Sequence, residues 1–393
     1  MLATTKLGTA VGRRFVTVVL ALSAVVQLAT LPFVGNRISG GDAQTYLALS
    51  KDWSSLARLT SEDAFEGNFW PAGYSGFLHL FDPFGGNQVI AVRLAQILMV
   101  LALAAMSASF ATSVSQQAAR WTLIVVAFSP SLLFGMWSIG YELLLGLLIC
   151  GALWLLWTRG NRSAAAVTSG IAFALALIVQ FRAIAALPVL LYLAWRIGKR
   201  TFATWTISLA IPIGLWSLRT YVAMATWAPW STNGSYNVWN GNGPHATGHN
   251  VFPLPPLPTG ADSYSAAALT WATQNPFDFF EITARKFLFL FYPTDIAGIS
   301  DRLPAEALVI AFQWAYSVAL VILIILFLGS LAWAKGASLN RMAPLFLATM
   351  LYLLPNVLFI VEARFRIPVE ALLLAVAAST AQQWWASRDR TTA

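Results

Sequence analysis

Apolar runs long enough to cross a lipid bilayer recur along the whole chain, and they constrain the fold more than any other feature. Unpaired backbone amides are too costly in hydrocarbon, so such runs cross a membrane as helices. The composition agrees, because 58% of the 393 residues are hydrophobic and 10% are charged, whereas soluble domains carry about 25% charged residues. The sequence therefore predicts an all-α, polytopic membrane helix bundle, a single domain over residues 1–393 with no separate soluble domain.

The apolar runs predict about ten transmembrane spans. A basic N-terminal stretch precedes the first run and no cleavage pattern follows it, so we expect a retained helix rather than a cleaved signal sequence. Polar residues interrupt the pattern around Ser129-Pro130 and Gln180-Phe181-Arg182, where a re-entrant hairpin is an alternative. The spans are predicted near 15–35, 89–113, 121–138, 141–158, 164–181, 183–197, 202–222, 306–332, 342–361 and 366–386.

The distribution of Lys and Arg predicts the orientation. With both termini in the cytoplasm, the inner loops and ends hold 13 of the 24 basic residues and one acid, Asp389, as the positive-inside rule expects. The other 15 of the 16 acids lie outside, most of them in two long segments, 36–88 and 223–305. Both segments are rich in aromatic residues and broken by Gly and Pro, which predicts loops and interfacial helices at the outer face.

Several common kinds of site are not indicated. The net charge of +8 comes from basic residues scattered at the ends of apolar runs, which favours lipid headgroups over nucleic acid as partners. Cys150 is the single cysteine, so an intrachain disulfide or a cysteine-based metal site is excluded. His245 and His249 are four residues apart, but the glycines around them disfavour a helix, and we interpret them as loop residues rather than metal ligands.

Three charged residues near the predicted outer face are candidates for function. Asp42 follows the first span, one helical turn before Tyr46, so both side chains lie on one face. An aspartate there can cap a surface helix or take part in chemistry. Glu142 opens a span, where a carboxylate needs a partner or water. Arg182 is a candidate partner, although it could instead extend to the headgroups.

Two arginines in a very short outer loop are harder to explain by topology. Arg364 and Arg366 lie where the orientation rule disfavours basic residues. Such a pair can hold a phosphate through several charge-assisted hydrogen bonds, or it can anchor the chain to lipid headgroups. Arg285 and Lys286, on an amphipathic stretch, pose the same choice with lipid anchoring favoured.

Taken in order along the chain, these motifs resemble the GT-C superfamily of membrane glycosyltransferases, particularly bacterial relatives of dolichyl-phosphate-mannose protein mannosyltransferases. The resemblance covers most of the chain. Two features depart from it: many relatives have an Asp-Glu pair where this chain has Asp42-Ala43, and many extend into a C-terminal soluble domain that is not expected here. The matching parts are Asp42 with Tyr46, WPAGY at 70–74, Glu142, QFR at 180–182, WSLR at 216–219, STNGSYNVWNGNGPHATG, NPFDFF before Lys286, and EARFRIP at 362–368.

The resemblance implies an inverting transfer of a sugar from a polyprenyl-phosphate donor to a hydroxyl of a glycan, lipid or protein acceptor, at the outer face of a bacterial cell membrane. Asp42 would act as general base. Arg364 and Arg366 would stabilise the leaving phosphate, with Lys286 as a weaker candidate. A divalent metal is compatible with the resemblance, but no cofactor is indicated. Implied substrate-binding residues are Tyr46, Trp70, Tyr74, Glu142, Arg182, Trp239 and Asn240.

Two other classes of function fit parts of the pattern. A transporter or flippase of lipid-linked sugars would also have many spans, but carriers concentrate charges near the bilayer midplane and often have inverted halves. An acyl- or phosphotransferase with a lipid donor would keep the cationic outer face and use another nucleophile or base. The glycosyltransferase hypothesis requires that Asp42 and the pair Arg364 and Arg366 converge on one cavity.

Overall fold

The computed structural model describes residues 7, 11–38, 41–51, 53, 70–224, 227, 231, 233–249, 256–292, 311, 314–322, 324–325 and 341–389. These residues are 83% helical and include no strand. The predicted all-α class is therefore confirmed. Parts of the two predicted outer segments and most of the predicted span 306–332 lie outside the described residues.

The described helices vary widely in length. Four 3-10 turns lie between them or extend them: Asp82–Asn87, Phe181–Ala186, Leu354–Leu358 and Ala363–Arg366. The α-helices, in chain order, are α1 (Arg13–Val34), α2 (Gly41–Lys51), α3 (Ala72–His79), α4 (Gln88–Ala111), α5 (Gln116–Ala127), α6 (Pro130–Trp137), α7 (Glu142–Arg159), α8 (Ser163–Val179), α9 (Leu187–Ile197), α10 (Lys199–Met224), α11 (Gly234–Asn242), α12 (Tyr264–Gln274), α13 (Pro276–Phe289), α14 (Ala343–Leu353) and α15 (Ile367–Asp389).

Among the described residues, five helical stretches are long and apolar enough to cross a membrane, and this is compatible with an integral membrane protein. They are Arg13–Val34, Asp82–Ala111, Gln116–Trp137, Glu142–Arg159 and Lys199–Val222. Two shorter apolar stretches are Ser163–Val179 and Ala343–Leu358. The described residues therefore give fewer full-length spans than the ten predicted.

Short helices account for part of this difference. The span predicted at 183–197 is a 3-10 turn followed by α9, whose 11 residues extend only about 16 Å along the helix axis. The span predicted at 342–361 is the equally short α14 followed by the turn Leu354–Leu358. Crossing the hydrocarbon layer takes about 20 helical residues, so neither helix is long enough alone.

Helix α15 lies in the core of the bundle. Residues 365–380 are all buried, and α15 packs against α4, α5, α7 and α14. In contrast, α10 exposes a largely apolar surface, as expected of a helix that faces lipid. The residues just before α15 are therefore held at one end of the bundle by a central, well-packed helix.

A buried arginine fixes the chain that leads into α2. Arg93 of α4 donates hydrogen bonds to the carbonyl oxygens of Gly35, Arg37 and Trp137, the last two at 2.6 and 3.0 Å. These contacts tie the end of α1 to the end of α6. They position α2 near the start of α7, at the same end of the bundle as the beginning of α15.

Candidate functional site

Asp42 and Arg364 meet at this end of the bundle. Asp42 lies in the first turn of α2, and Arg364 lies in the 3-10 turn that leads into α15. Nη2 of Arg364 donates a hydrogen bond to Oδ2 of Asp42 at 2.6 Å. The carboxylate after the first helix and one of the two arginines before the last helix therefore share one site.

Arg364 is surrounded by three carboxylates. In addition to Asp42, its Nε donates to Oε2 of Glu362 at 2.5 Å, and its Nη1 lies 3.5 Å from Oε1 of Glu142. Burial alone would lower the pKa of Arg364, but these carboxylates raise the pKa well above its ordinary value. Arg364 therefore stays charged, and each of its nitrogens already faces a protein carboxylate.

Glu142 is the most deeply buried of these three acids. Its side chain is 2% exposed, and neither carboxylate oxygen accepts a hydrogen bond from the described residues. Its position in the first turn of α7 places it at the positive end of the helix dipole. A side chain at Gly140 would collide with Oε2 of Glu142, so the glycine leaves the space that this carboxylate fills.

Asp42 and Arg364 open onto a cavity of about 950 Å³. Its charged lining residues are Asp42, Arg182, Glu362 and Arg364. Aromatic and amide side chains complete the wall, a mixture of flat apolar surface and hydrogen-bonding groups that suits a polar organic ligand. They include Tyr46, Trp70, Tyr141, Tyr236, Gln180, Asn233, Asn237 and Asn356.

Tyrosine and tryptophan rings form one side of the cavity. The ring of Tyr46 packs edge-on against the rings of Trp70, Tyr74 and Tyr141, with centroids 5.4, 5.1 and 6.4 Å away. Tyr74 is fully buried and supports Tyr46 without lining the cavity. Burial raises the pKa of Tyr46 well above its usual value, so this phenol stays protonated.

Arg182 is the second cation of the cavity, and its surroundings differ from those of Arg364. Its Nη1 donates to Oδ1 of Asn356 at 3.1 Å. Its guanidinium carbon lies 4.2 Å from the ring centroid of Phe365 and 5.4 Å from that of Phe359. Among the described residues, no carboxylate forms an ion pair with it. Arg182 therefore offers the cavity a positive charge that a bound anion can neutralise.

Arg366, the other predicted phosphate ligand, does not line the cavity. It is fully buried, and its guanidinium donates to Oε2 of Glu370, to Oγ of Ser131 and to the carbonyl oxygens of Leu290 and Tyr292, at 2.6 to 3.2 Å. Two arginines two residues apart on a 3-10 turn point in different directions. Arg366 consequently holds the bundle together.

Lys286 is also buried behind the cavity wall instead of lining it. Its Nζ donates to Oδ1 of Asn242 at 2.6 Å and to the carbonyl oxygen of Val357 at 3.0 Å. Burial lowers the pKa of Lys286 to about 7. These bonds join α13, α11 and the turn Leu354–Leu358, so Lys286 positions two elements that do line the cavity.

The loop motif STNGSYNVWNGN contributes to the cavity through its first half. Trp239 and Asn240, the predicted ligands, are buried and do not line the cavity. Asn233, Tyr236 and Asn237, earlier in the motif, do. The predicted residues face inward because α11 packs closely on the chain at Phe359 and Ile360, where a Cβ on Gly241 would lie 2.6 Å from the backbone of Phe359.

The two histidines of this loop lie outside helices, as expected. His249 stacks on Phe289 with ring centroids 4.0 Å apart, and its Nδ1 lies 3.1 Å from the carbonyl oxygen of Val361. His245 packs edge-on against Trp239. The described part of the chain contains no group of three or more His, Cys, Asp or Glu residues that could hold a metal ion.

Many lining residues were not selected from the sequence, and they include four with polar groups outside the loop motif: Tyr141, Gln180, Asn356 and Glu362. Gln180 and Glu362 stand next to selected arginines in the motifs QFR and EARFRIP. Asn356 interrupts an apolar run, and a polar residue in such a run is itself a functional signal. Tyr141 is indistinguishable in sequence from an interfacial anchor.

Comparison with known proteins adds no relative to these observations. No protein-family model matches the chain, and neither the curated proteins nor the solved structures give a match. The residues of the cavity are therefore the basis for assigning a function.

Proposed function

We propose that the protein is an inverting glycosyltransferase that moves a sugar from a polyprenyl-phosphate donor to an acceptor hydroxyl in the cavity of Asp42. One observation carries the proposal: a partly exposed carboxylate, Asp42, and the guanidinium of Arg182, which pairs with no carboxylate of the described residues, line the same cavity. A base and an anion site are the two groups that this reaction needs. The cavity volume of about 950 Å³ is within the range of pockets that enclose organic ligands.

In the proposed reaction, Asp42 is the general base. Its Oδ2 is held by Arg364, which leaves Oδ1 to accept the proton of the acceptor hydroxyl. The hydroxyl oxygen forms a bond to the anomeric carbon while the bond between that carbon and the phosphate oxygen breaks on the opposite face. The configuration inverts, and polyprenyl phosphate leaves with the bonding electron pair.

Negative charge develops on the phosphate as it leaves, and Arg182 is the group that supports it in this proposal. A fixed positive charge placed where negative charge grows lowers the barrier. Arg364 acts on Asp42, holding the carboxylate in one orientation through their ion pair. Arg366 and Lys286 have roles in packing, because both are buried outside the cavity.

The orientation of the chain belongs to the same proposal. We infer about ten spans from the apolar runs. From the concentration of basic residues in the predicted inner loops, we infer that both termini are in the cytoplasm and that the cavity is on the outer face of a bacterial cell membrane. The tail of the donor would then lie among the spans. A glycan, lipid or protein acceptor would reach Asp42 from outside.

Mass spectrometry of cell-envelope glycans, glycolipids and glycoproteins tests this function. A strain without the gene should lose one glycan modification, which wild-type protein restores and Asp42→Asn does not. Asp278→Asn is the matched control, since Asp278 is an exposed acid on α13 outside the cavity, and it should restore the modification. Full restoration by Asp42→Asn would reject Asp42 as the base and favour a transporter or flippase. A deletion strain with a changed acyl or phosphate group and unchanged sugars would favour an acyl- or phosphotransferase.

A further inference from the structure

Two 3-10 turns form one side of the cavity wall. Phe181–Ala186 joins α8 to α9, and Leu354–Leu358 extends α14. The two turns contact each other, and the first also packs against α14. Arg182 and Ile184 of the first turn line the cavity, as does Asn356 of the second. At this side the cavity is therefore bounded by short turns rather than by full-length helices.

The outer surface of these turns is apolar and exposed. Ile184, Leu354 and Leu358 are 38%, 48% and 50% exposed, respectively. Ile184 belongs both to this surface and to the lining of the cavity. On a bundle with helices suited to crossing a membrane, an exposed apolar surface can face lipid hydrocarbon. Because Ile184 is exposed and also lines the cavity, we infer that the cavity opens toward lipid at Ile184.

Arg182 is held rigidly beside this opening. Nδ2 of Asn356 donates to the carbonyl oxygen of Tyr352 at 2.6 Å, so the amide is oriented with Oδ1 toward Arg182, which it binds at 3.1 Å. The ring of Phe365 packs under the guanidinium. A fixed cation just inside an apolar opening matches an amphiphile that has an anionic head and a hydrocarbon tail.

We propose that the donor lies with its phosphate on Arg182 and its hydrocarbon tail leaving the cavity past Ile184, along the exposed apolar surface of the turns Phe181–Ala186 and Leu354–Leu358. The sugar would then extend toward Asp42 and Glu362, the acidic side of the cavity. The position of the sugar rests on the proposed function. The position of the phosphate and of the tail depends only on the binding of a lipid phosphate at Arg182.

A second groove, also apolar, is an alternative binding site for the hydrocarbon tail of the donor. It has a volume of about 640 Å³ and lies between α5, residues 316–320 and α15, toward the opposite end of α15. Its lining includes Trp121, Leu374 and Trp385 but no charged side chain among the described residues. The groove can therefore take a hydrocarbon chain, but it offers no cation to a phosphate.

Photo-crosslinking of the full, unaltered chain tests the path of the tail. The purified protein in lipid nanodiscs is labelled with an undecaprenyl monophosphate that carries a diazirine in the tail, and the labelled peptides are mapped by mass spectrometry. We expect labels on residues 181–186 and 354–358, which excess undecaprenyl monophosphate prevents. Labels concentrated in the second groove, or spread evenly along α10, would overturn the inference.

Binding of unlabelled undecaprenyl monophosphate tests the position of the phosphate. Arg182→Gln should weaken binding about tenfold or more, as expected for the loss of a charge-assisted contact, and should not change binding of undecaprenol, which has no phosphate. Arg285→Gln is the matched control, because Arg285 is exposed and outside the cavity. Equal binding of the phosphate probe by Arg182→Gln and Arg285→Gln would overturn the assignment.

Bulky substitutions test whether the tail passes Ile184 rather than another exposed apolar residue. Ile184→Trp should weaken binding of the phosphate probe, whereas Leu347→Trp, at an exposed site on α14 that does not line the cavity, should not. If sugar transfer depends on Asp42 but neither Arg182 nor Ile184 affects binding, this inference fails alone. If the probe binds as described and no sugar transfer is found, the lipid-phosphate site stands and the proposed function fails.

Discussion

Nη1 of Arg364 lies 3.5 Å from Oε1 of Glu142, a carboxylate that is buried and accepts no hydrogen bond from the described residues. The same guanidinium holds Asp42 and Glu362. A buried charge that loses its partner is strongly destabilising. Arg364 therefore has a structural role, the neutralisation of Glu142, in addition to the orientation of Asp42.

Replacement of Arg364 should destabilise the fold through Glu142. We expect Arg364→Gln to lower the free energy of unfolding by about 3–5 kcal/mol, since it leaves a buried charge unpaired. The double variant Arg364→Gln/Glu142→Gln should recover most of this loss, which thermal melting in detergent would measure. Arg285→Gln, which removes an exposed ion pair with Glu281, should change stability by less than about 1 kcal/mol. Equal melting of the single and double variants would contradict this role.

Arg366 should behave differently from Arg182 in binding. Arg366→Gln leaves Glu370 buried without its ion-pair partner, so we expect a loss of about 3–5 kcal/mol in stability. Glu370→Gln in the same chain should restore part of it. Well below the melting temperature, Arg366→Gln should bind undecaprenyl monophosphate as the wild type does. A loss of undecaprenyl monophosphate binding in folded Arg366→Gln would contradict this prediction and indicate that Arg366 contacts the phosphate.

A glycine on α11 should be essential for the shape of the cavity. A Cβ at Gly241 would lie 2.6 Å from backbone atoms of Phe359, and backbone cannot move as cheaply as a side chain. Gly241→Ala should therefore lower the free energy of unfolding by about 1–3 kcal/mol. It should also weaken ligand binding, because Tyr236 of the same helix lines the cavity. Gly214→Ala is the control: nothing lies within 4 Å of its added Cβ. Similar effects of both substitutions would show that contact with Phe359 is unimportant.

The buried amine of Lys286 should make stability depend on pH. Burial lowers its pKa from 10.5 to about 7, so between these values the unfolded chain binds more protons than the folded chain. Stability therefore rises with pH across this window, by up to about 1.4 kcal/mol per pH unit. Lys286→Met cannot titrate and lacks this term.

Melting in detergent at pH 7.5, 8.5 and 9.5 measures the effect. Relative to Lys286→Met, the wild-type chain should gain stability at each step toward higher pH. Parallel pH profiles for the two proteins would mean that Lys286 is protonated in the folded chain throughout this range.

The sequence allowed the all-α class and several members of the cavity to be predicted. Asp42 was selected for its place after the first span, Arg182 as a candidate partner of Glu142, and Arg364 because the orientation rule disfavours basic residues in a short outer loop. These three residues do line one cavity. The short helices α9 and α14 were not anticipated, because the apolar pattern continues through the turns that follow or precede them.

Side-chain direction could not be read from the sequence. Arg364 and Arg366 share a motif, but a 3-10 turn sends one to the cavity and the other into the core. In the same way, Trp239 and Asn240 belong to a polar loop motif, yet the close approach of α11 to Phe359 buries them. Such outcomes depend on contacts between segments more than a hundred residues apart, which no local pattern encodes.

Sugar transfer by the purified protein tests the central claim most directly. Wild-type protein, Asp42→Asn and the control Asp278→Asn are incubated with radiolabelled polyprenyl-phosphate sugars and envelope extract as acceptor, and the anomeric configuration of the product is determined. We predict transfer with inversion by wild type and by Asp278→Asn, and a rate lower by about 10²–10⁴-fold for folded Asp42→Asn. Transfer by Asp42→Asn at the wild-type rate, or a product with retained configuration, would contradict the account.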